Sequence, residues 1–438
     1  MHRSSAWVLI FAATLTAAAP GADPPAKTKP RLADFMGLNV HTVQFKPDLY
    51  LPVTRLVRDY HDFRWDVGEE SDFKTTFPFA RNRVDWGGMY GGWAKKGYRI
   101  DACVMFDTLP AAKWKNLEAD AERYGLEFAK AFGPGGKYPA VESIEIGNEP
   151  GKYDDATYRK LFEAAAKGAR AGDPKLKIAT CAAFAEKSGD YHKSLETVRG
   201  LEALYDVVNV HSYPQLEPWP TWRRSFPEDP RLDWLKKIDA AIAWRNEHAK
   251  GKEVWLTEFG WDSSTKPAEK NGDFKQWVGV SDMQQAQYLV RGFFALAELD
   301  LDRAYIYWFN DDDKPSLHAS SGLTRHYRPK PSFHAVAHLF RTLGEHRLQR
   351  AVVKKPGEVY AFEFAPTKRR GQTIWAIWSP TGSNRRATVK LPAPAGTIER
   401  GERMPLSAAT APPAKWTRRG DELELEIDES PIYLWIGK

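Results

Sequence analysis

Between residues 35 and 310, short apolar runs alternate with longer stretches in which apolar positions recur every three or four residues. The short runs are 35–40 (FMGLNV), 61–67 (HDFRWDV), 98–106 (YRIDACVMF) and 141–147 (VESIEIG), followed by 176–182 (LKIATCA), 207–211 (VVNVH), 253–258 (EVWLTE) and 303–309 (RAYIYWF). Between them, 116–132, 156–170, 232–249 and 282–299 carry the amphipathic period of helices. Strands alternating with helices of this length predict parallel βαβ units. Eight such strands within about 275 residues predict a closed (β/α)8 barrel. An open doubly wound sheet would carry a Gly-rich first turn, and the sequence has none.

After residue 339 the texture changes. The stretches 353–364, 373–379, 386–391, 423–427 and 431–436 are short and strand-like, separated by Pro, Gly, Asn and Asp. This predicts an antiparallel β-sandwich, with the Pro- and Ala-rich 401–415 as a loop inside it. No Gly/Ser-rich or Pro-rich hinge lies between 339 and 353, so the sandwich is expected to pack tightly on the barrel. The division expected is 1–26, 27–342 for the barrel and 343–438 for the sandwich.

Composition agrees with a large globular core: of 438 residues, 42% are hydrophobic and 27% charged. A balance of 63 basic against 57 acidic residues gives +6, too mild over this length to signal nucleic acid, though compatible with an anionic substrate. The 17 tryptophans suit sites that stack on half-apolar ligands as well as cores. At the N-terminus, His2 and Arg3 precede a largely apolar run, 6–19 (AWVLIFAATLTAAA), with Pro20, Gly21 and Ala22 after it. That is the layout of a secretory signal peptide cut between Ala19 and Ala26, and it is too short to span a bilayer. A secreted or periplasmic protein, free of the membrane after cleavage, is expected.

Cys103 and Cys181 fall in the third and fifth predicted strands. Two strand spacings separate these by roughly 9–10 Å, beyond the ~7 Å Cα limit for a disulfide. Both are expected to be buried free thiols. No CxxC, HExxH or Cys/His cluster is present, so no metal or cofactor is called for.

In a barrel the chemistry sits where the strands end. The fourth run leads into Asn148-Glu149-Pro150, and the seventh ends Thr257-Glu258-Phe259-Gly260. Two rim carboxylates facing each other suit acid/base and nucleophilic work on a glycosidic bond. Glu145, earlier on the fourth strand between Ile144 and Ile146, reads as structural.

This arrangement resembles the retaining glycoside hydrolases of clan A. Asn148-Glu149-Pro150 is the most specific part, and Glu258 follows Glu149 by 109 residues. His211-Ser212-Tyr213-Pro214, Gln285-Ala286, Tyr307-Trp308, Gly322-Leu323 and Lys330-Pro331 are similar too. The trailing Ser430-Pro431-Ile432-Tyr433 is similar to the barrel-plus-sandwich members, which include the β-xylosidase, α-L-iduronidase and related glucanase families. The resemblance implies a secreted retaining enzyme that cleaves a poly- or oligosaccharide by a two-glutamate double displacement. Glu149 would be the general acid/base and Glu258 the nucleophile. Asn148 would hold the sugar 2-hydroxyl, Tyr213 would donate to Glu258 with His211 beside it, and Trp308 would floor the subsite of the attacked sugar. Arg64 resembles the arginine these enzymes place near the nucleophile, with a surface salt bridge as its other reading. His41 would line the sugar subsite or pack. Trp261 would be a platform or loop packing. The alternative function is a carbohydrate-binding protein on the same scaffold without turnover.

Other clusters read more plainly. Asp311-Asp312-Asp313 is expected to be a solvated rim, and His334 and His338 to be ordinary helix packing. The aromatic-rich segments 216–235 and 81–93 read either as cleft walls or as loops packed over the barrel.

Overall fold

The computed structural model describes residues 28–73, 76–368 and 371–437, so the signal-peptide reading lies outside the described residues. Eight parallel strands form the barrel: β1 (Met36–Val40), β2 (Leu56–Asp62), β3 (Arg99–Met105), β4 (Val141–Ile146), β5 (Lys177–Phe184), β6 (Val207–His211), β7 (Glu253–Phe259) and β8 (Arg303–Ile306). Each pairs with the next in sequence, and the pairing of Met36 with Ala304 closes β8 onto β1. The second strand therefore lies five residues earlier than the 61–67 run predicts. Residues 63–67 form a short helix instead, capped by the Asp62 carboxylate accepting from the Arg64 backbone N–H. Around the barrel lie α1 (Trp86–Lys95), α2 (Leu117–Phe132), α3 (Asp155–Gly172), α4 (Trp234–His248), α5 (Asp282–Glu298) and α6 (Pro331–Leu343). Helix α5 starts with a reciprocal capping box between Ser281 and Gln284.

The lower end of the barrel is plugged by Leu56, Ala179, Val207, Trp255 and Tyr305, all fully buried. Above them the interior turns polar: Asn39, Arg58, Glu145, Asn209 and Thr257 are buried and joined by hydrogen bonds. Buried polar groups are tolerated when each finds partners, and these form the floor of the mouth. Cys103 and Cys181 are buried and free.

The C-terminal module is a β-sandwich. Its larger sheet orders His346–Lys355, Val359–Pro366, Thr373–Trp378, Ile432–Ile436 and Ile398–Arg403. The smaller sheet orders Ala387–Pro392, Glu422–Ile427 and Trp416–Arg419. The 353–364 stretch is thus two strands joined by a turn, and 401–415 is not wholly loop, because Ile398–Arg403 runs into it. Period-two alternation explains how one sheet serves two cores. Tyr360, Phe362 and Phe364 join the barrel's core, while Val359 and Ala361 join the core between the two sheets.

At the junction, Arg291 of α5 is fully buried and donates to Glu228 and to the Thr381 carbonyl. Glu228 also accepts from Trp378 Nε1 at 2.7 Å. His338 of α6 contacts Glu402 of the sandwich at 3.0 Å and belongs to this packing. Among the described residues no helix is long and apolar enough to cross a membrane.

Candidate active site

The site is assembled at the C-terminal ends of the strands. Gly147, with φ +89°, turns the chain out of β4. Asn148 and Glu149 follow, and Asp107 beyond β3 accepts from the Asn148 backbone N–H at 3.3 Å. Glu258 stands near the end of β7 and His211 at the end of β6. Ligand atoms of Glu149, His211 and Glu258 all lie within 4.8 Å of one another. His211 Nδ1 is 2.9 Å from Glu149 Oε1 and 3.6 Å from Glu258 Oε2. The carboxylates of glycosidases stand about 5–5.5 Å apart when retaining and about 6.5–9.5 Å apart when inverting. Here one carboxylate oxygen of Glu149 lies within 4.8 Å of one of Glu258.

The two glutamates differ in surroundings. The Glu149 side chain keeps 29% of its surface exposed, whereas Glu258 keeps 7%, so only Glu149 is open to a proton donor or acceptor from the cleft. Glu258 Oε1 accepts from Tyr60 at 2.5 Å and from Arg58 Nη1 at 3.2 Å, and Oε2 accepts from Tyr213 at 2.7 Å. Burial opposes its charge, but His211, Arg58 and the two phenols outweigh burial and hold its pKa well below the usual carboxylate range. Burial lowers and the two carboxylates raise the His211 pKa, with a net rise. Tyr60 and Tyr213 are pushed well up, by burial and then by the Glu258 charge, so both remain donors.

Arg58 is the centre of the floor. Its guanidinium donates to Glu145 at 2.6 and 2.8 Å, to Asn39 at 3.0 Å and to Asn148 at 2.8 Å, besides Glu258. Arg58 and Glu145 are both fully buried. Arg64, by contrast, lies in the short helix after β2 with 43% of its side chain exposed, in a surface ion pair with Asp62 at 3.4 Å. The arginine beside the candidate nucleophile is Arg58, six residues earlier.

Trp261 is likewise corrected. It is fully buried, donates to the Ser225 carbonyl at 2.6 Å and packs edge-on to Phe259 and Trp234, so it supports the β7 loop and offers no face to a sugar. Trp86, Tyr90 and Trp93 of α1 are buried as well, so 81–93 packs over the barrel and is not a cleft wall. Trp308 is half-buried after β8, and its ring is parallel to Tyr307 at 5.4 Å. His41 follows β1, half-buried and edge-on to Trp65, and its buried Nδ1 has no hydrogen-bond partner among the described residues. Asp311 and Asp313 are buried against Lys330 and Arg325, and only Asp312 is the expected solvated rim residue.

Two further residues complete the site: Arg224, from the 216–235 segment read above as either cleft wall or packed loop, and His318, which the sequence reading did not single out. Arg224 lies 4.1 Å over the Tyr213 ring, pairs with Asp262 and donates to the Gly260 carbonyl. His318 stands edge-on to Tyr213 and Tyr307; burial and Arg224 hold its pKa down to about 4, so it is neutral. The Glu149–His211–Glu258 cluster also has the reach of a metal triad. Arg58, Tyr60 and Tyr213 already occupy both oxygens of Glu258, and His211 Nδ1 is within hydrogen-bond distance of Glu149, so the donor set fits a sugar site better than a divalent cation.

The Tyr contacts make a measurable prediction. A hydrogen bond to a charged group is worth about 1.5–3 kcal/mol, and one pKa unit is about 1.4 kcal/mol. Removing a donor from the ionised form raises its pKa, so Tyr213→Phe is expected to move the acid limb of kcat/KM up by about one pH unit. Tyr60→Phe/Tyr213→Phe should move it further. The same depressed carboxyl stabilises the fold above its ordinary pKa of 4.5, and that contribution is lost as pH falls toward 2. A pH–rate profile in which the variants keep the wild-type limb would show that another group sets it.

No protein-family model matches the chain, and no curated protein sequence matches it. Solved structures do. A family 39 glycoside hydrolase from the gut symbiont Bacteroides cellulosilyticus WH2 superposes with a TM-score of 0.67 at 18% identity, over 93% of this chain and 81% of that one. A glucosidase from Croceicoccus marinus gives 0.63 at 14%, over 95% and 97%. A GH30 endoxylanase from Clostridium papyrosolvens C71 gives 0.58 at 10%, over 94% and 98%. The chain therefore has the fold of the barrel-plus-sandwich glycoside hydrolases, along nearly its whole described length.

Proposed function

We propose that this protein is a retaining glycoside hydrolase acting on O-glycosidic bonds of a poly- or oligosaccharide. The observation that carries the reading is the close Glu149–Glu258 pair bridged by His211, with Glu258 held ionised by Arg58, Tyr60 and Tyr213. In the first step Glu258 attacks the anomeric carbon while Glu149 gives its proton to the leaving oxygen. In the second step Glu149 takes a proton from water, which displaces Glu258. Asn148 is oriented by Arg58 and Trp308 borders the same mouth, in positions to hold the attacked sugar. Arg58 and Arg224 are each paired with protein carboxylates, which supports a neutral sugar at the cleaved bond. The N-terminal sequence supports export. The barrel-plus-sandwich fold shared with glycoside hydrolases supports the reaction class.

The test is a panel of polysaccharides and aryl glycosides assayed for released reducing sugar, with the product anomer followed by proton NMR. Net retention of configuration is expected. Inversion would refute the double displacement. Sugar binding without any product would favour the binding-protein reading.

A further inference from the structure

Among the described residues, the large apolar side chains that stand exposed are Val43, Phe79, Tyr191, Trp219, Val278 and Met283. Scattered exposed apolar residues need no explanation, but these are not scattered. Each follows the C-terminal end of a barrel strand, in the segments after β1, β2, β5, β6 and β7, and Met283 opens α5. None lies on the sandwich or in the body of an outer helix.

Two of them are aromatic rings on rigid supports, in the loops after β5 and β6, the two strands that lie between those carrying Glu149 and Glu258. Tyr191, 70% exposed, is at the tip of a tight turn closed by the Gly189–His192 bridge. That turn leans on the acid/base loop: the Asp190 carbonyl oxygen is 1.8 Å from where a Cβ on Gly151 would stand, so only glycine fits two residues after Glu149. Trp219, 65% exposed, is at the tip of a hairpin closed by the Gln215–Arg224 bridge. The Glu217–Arg223 ion pair and a 2.7 Å bond from Thr221 to Glu217 brace that hairpin, and Val278 N–H donates to the Thr221 carbonyl at 2.9 Å from the β7 loop. The hairpin begins two residues after Tyr213, which donates to Glu258.

In a double displacement the acid/base stands beside the leaving-group oxygen, and the nucleophile on the other side of the anomeric carbon. The loop after β5 leans on the Glu149 segment at Gly151, and the loop after β6 leaves that strand at His211, 2.9 Å from Glu149, so both border the leaving-group sugars. We propose that Tyr191 and Trp219 are stacking platforms for those sugars, and that the substrate is a chain continuing at least two units beyond the cleaved bond. Flat rings with few rotatable bonds, already held by their turns, lose little freedom on meeting the apolar face of a pyranose. The inference rests on the glycosidase reading and adds its substrate class.

The experiment compares hydrolysis of gluco-, xylo- and manno-oligosaccharides of two to six units with that of the matching 4-nitrophenyl β-glycosides. In the wild type, kcat/KM is expected to rise with chain length past two units. In Tyr191→Ala and Trp219→Ala, the ratio of hexamer to aryl-glycoside kcat/KM is expected to fall about tenfold each. Tyr191→Phe and Trp219→Tyr, which keep a ring, should restore most of the ratio, which a merely structural role would not produce. If the wild type cleaves the aryl glycosides and the alanine variants leave the ratio unchanged, the platforms are refuted while the glycosidase reading stands. If no compound in the series is cleaved, the glycosidase reading falls first, and this inference with it.

Discussion

Glu258→Gln is expected to lower kcat by at least about ten-thousand-fold while oligosaccharide binding persists. An amide keeps the shape of the carboxylate but cannot form the glycosyl-enzyme bond, and loss of a covalent nucleophile costs about this much or more. Glu149→Ala should behave differently. Its loss should be large on substrates with poor leaving groups and small on activated aryl glycosides, whose phenolate departs almost without a proton. Azide should restore the Glu149 variant by attacking the glycosyl-enzyme from the face that the missing base had served, giving a glycosyl azide of retained configuration. The structure supports this division of labour through exposure: an azide can reach the half-open Glu149 position, whereas Glu258 is enclosed by Tyr60, Tyr213 and Arg58. Equal losses in both variants on both kinds of substrate, without an azide product, would overturn the assignment.

Arg58→Met is expected to be the most destabilising single change in the barrel floor, at about 3–5 kcal/mol, because it strands the Glu145 carboxylate where no water reaches. Urea unfolding should show the loss as a lower midpoint. Adding Glu145→Gln removes the stranded charge, so the double variant should regain part of the stability. Turnover should remain low in it, because Glu258 has lost its cation and its pKa rises. Recovery of both stability and activity would show that Arg58 serves the fold alone.

What the sequence made legible, and what it hid, follows from where partners lie. Strand ends that carry Glu149 and Glu258 stand out because apolar runs lead directly into them. The four long helices predicted from three- and four-residue spacing all form, within a few residues of their expected ends. Strand β2 was displaced because both of its faces carry polar residues. Arg58 points into the barrel, and Asp59 accepts from Tyr90 on α1 at 2.8 Å. Its partners Glu145 and Glu258 lie 87 and 200 residues away, so hydropathy reads Arg58 as solvent-exposed. The neighbouring Phe63, Trp65 and Val67 alternate like a strand although they belong to a single helical turn. In the sandwich, Trp416–Arg419 escaped notice because it is an edge strand with mostly exposed, basic residues, the composition that guards an edge. The same reasoning accounts for Trp261: sequence shows a large ring near a strand end, and only packing decides which way it faces.

The junction around Arg291 bears on how this architecture can change. Glu228, which Arg291 and Trp378 hold, belongs to the same β6–α4 connection that carries Tyr213 and Trp219. A graft that exchanged the C-terminal module for another would therefore disturb the connection that shapes the mouth. Substitutions in the sandwich at this junction are likewise expected to alter the mouth of the barrel as well as the contact between the modules.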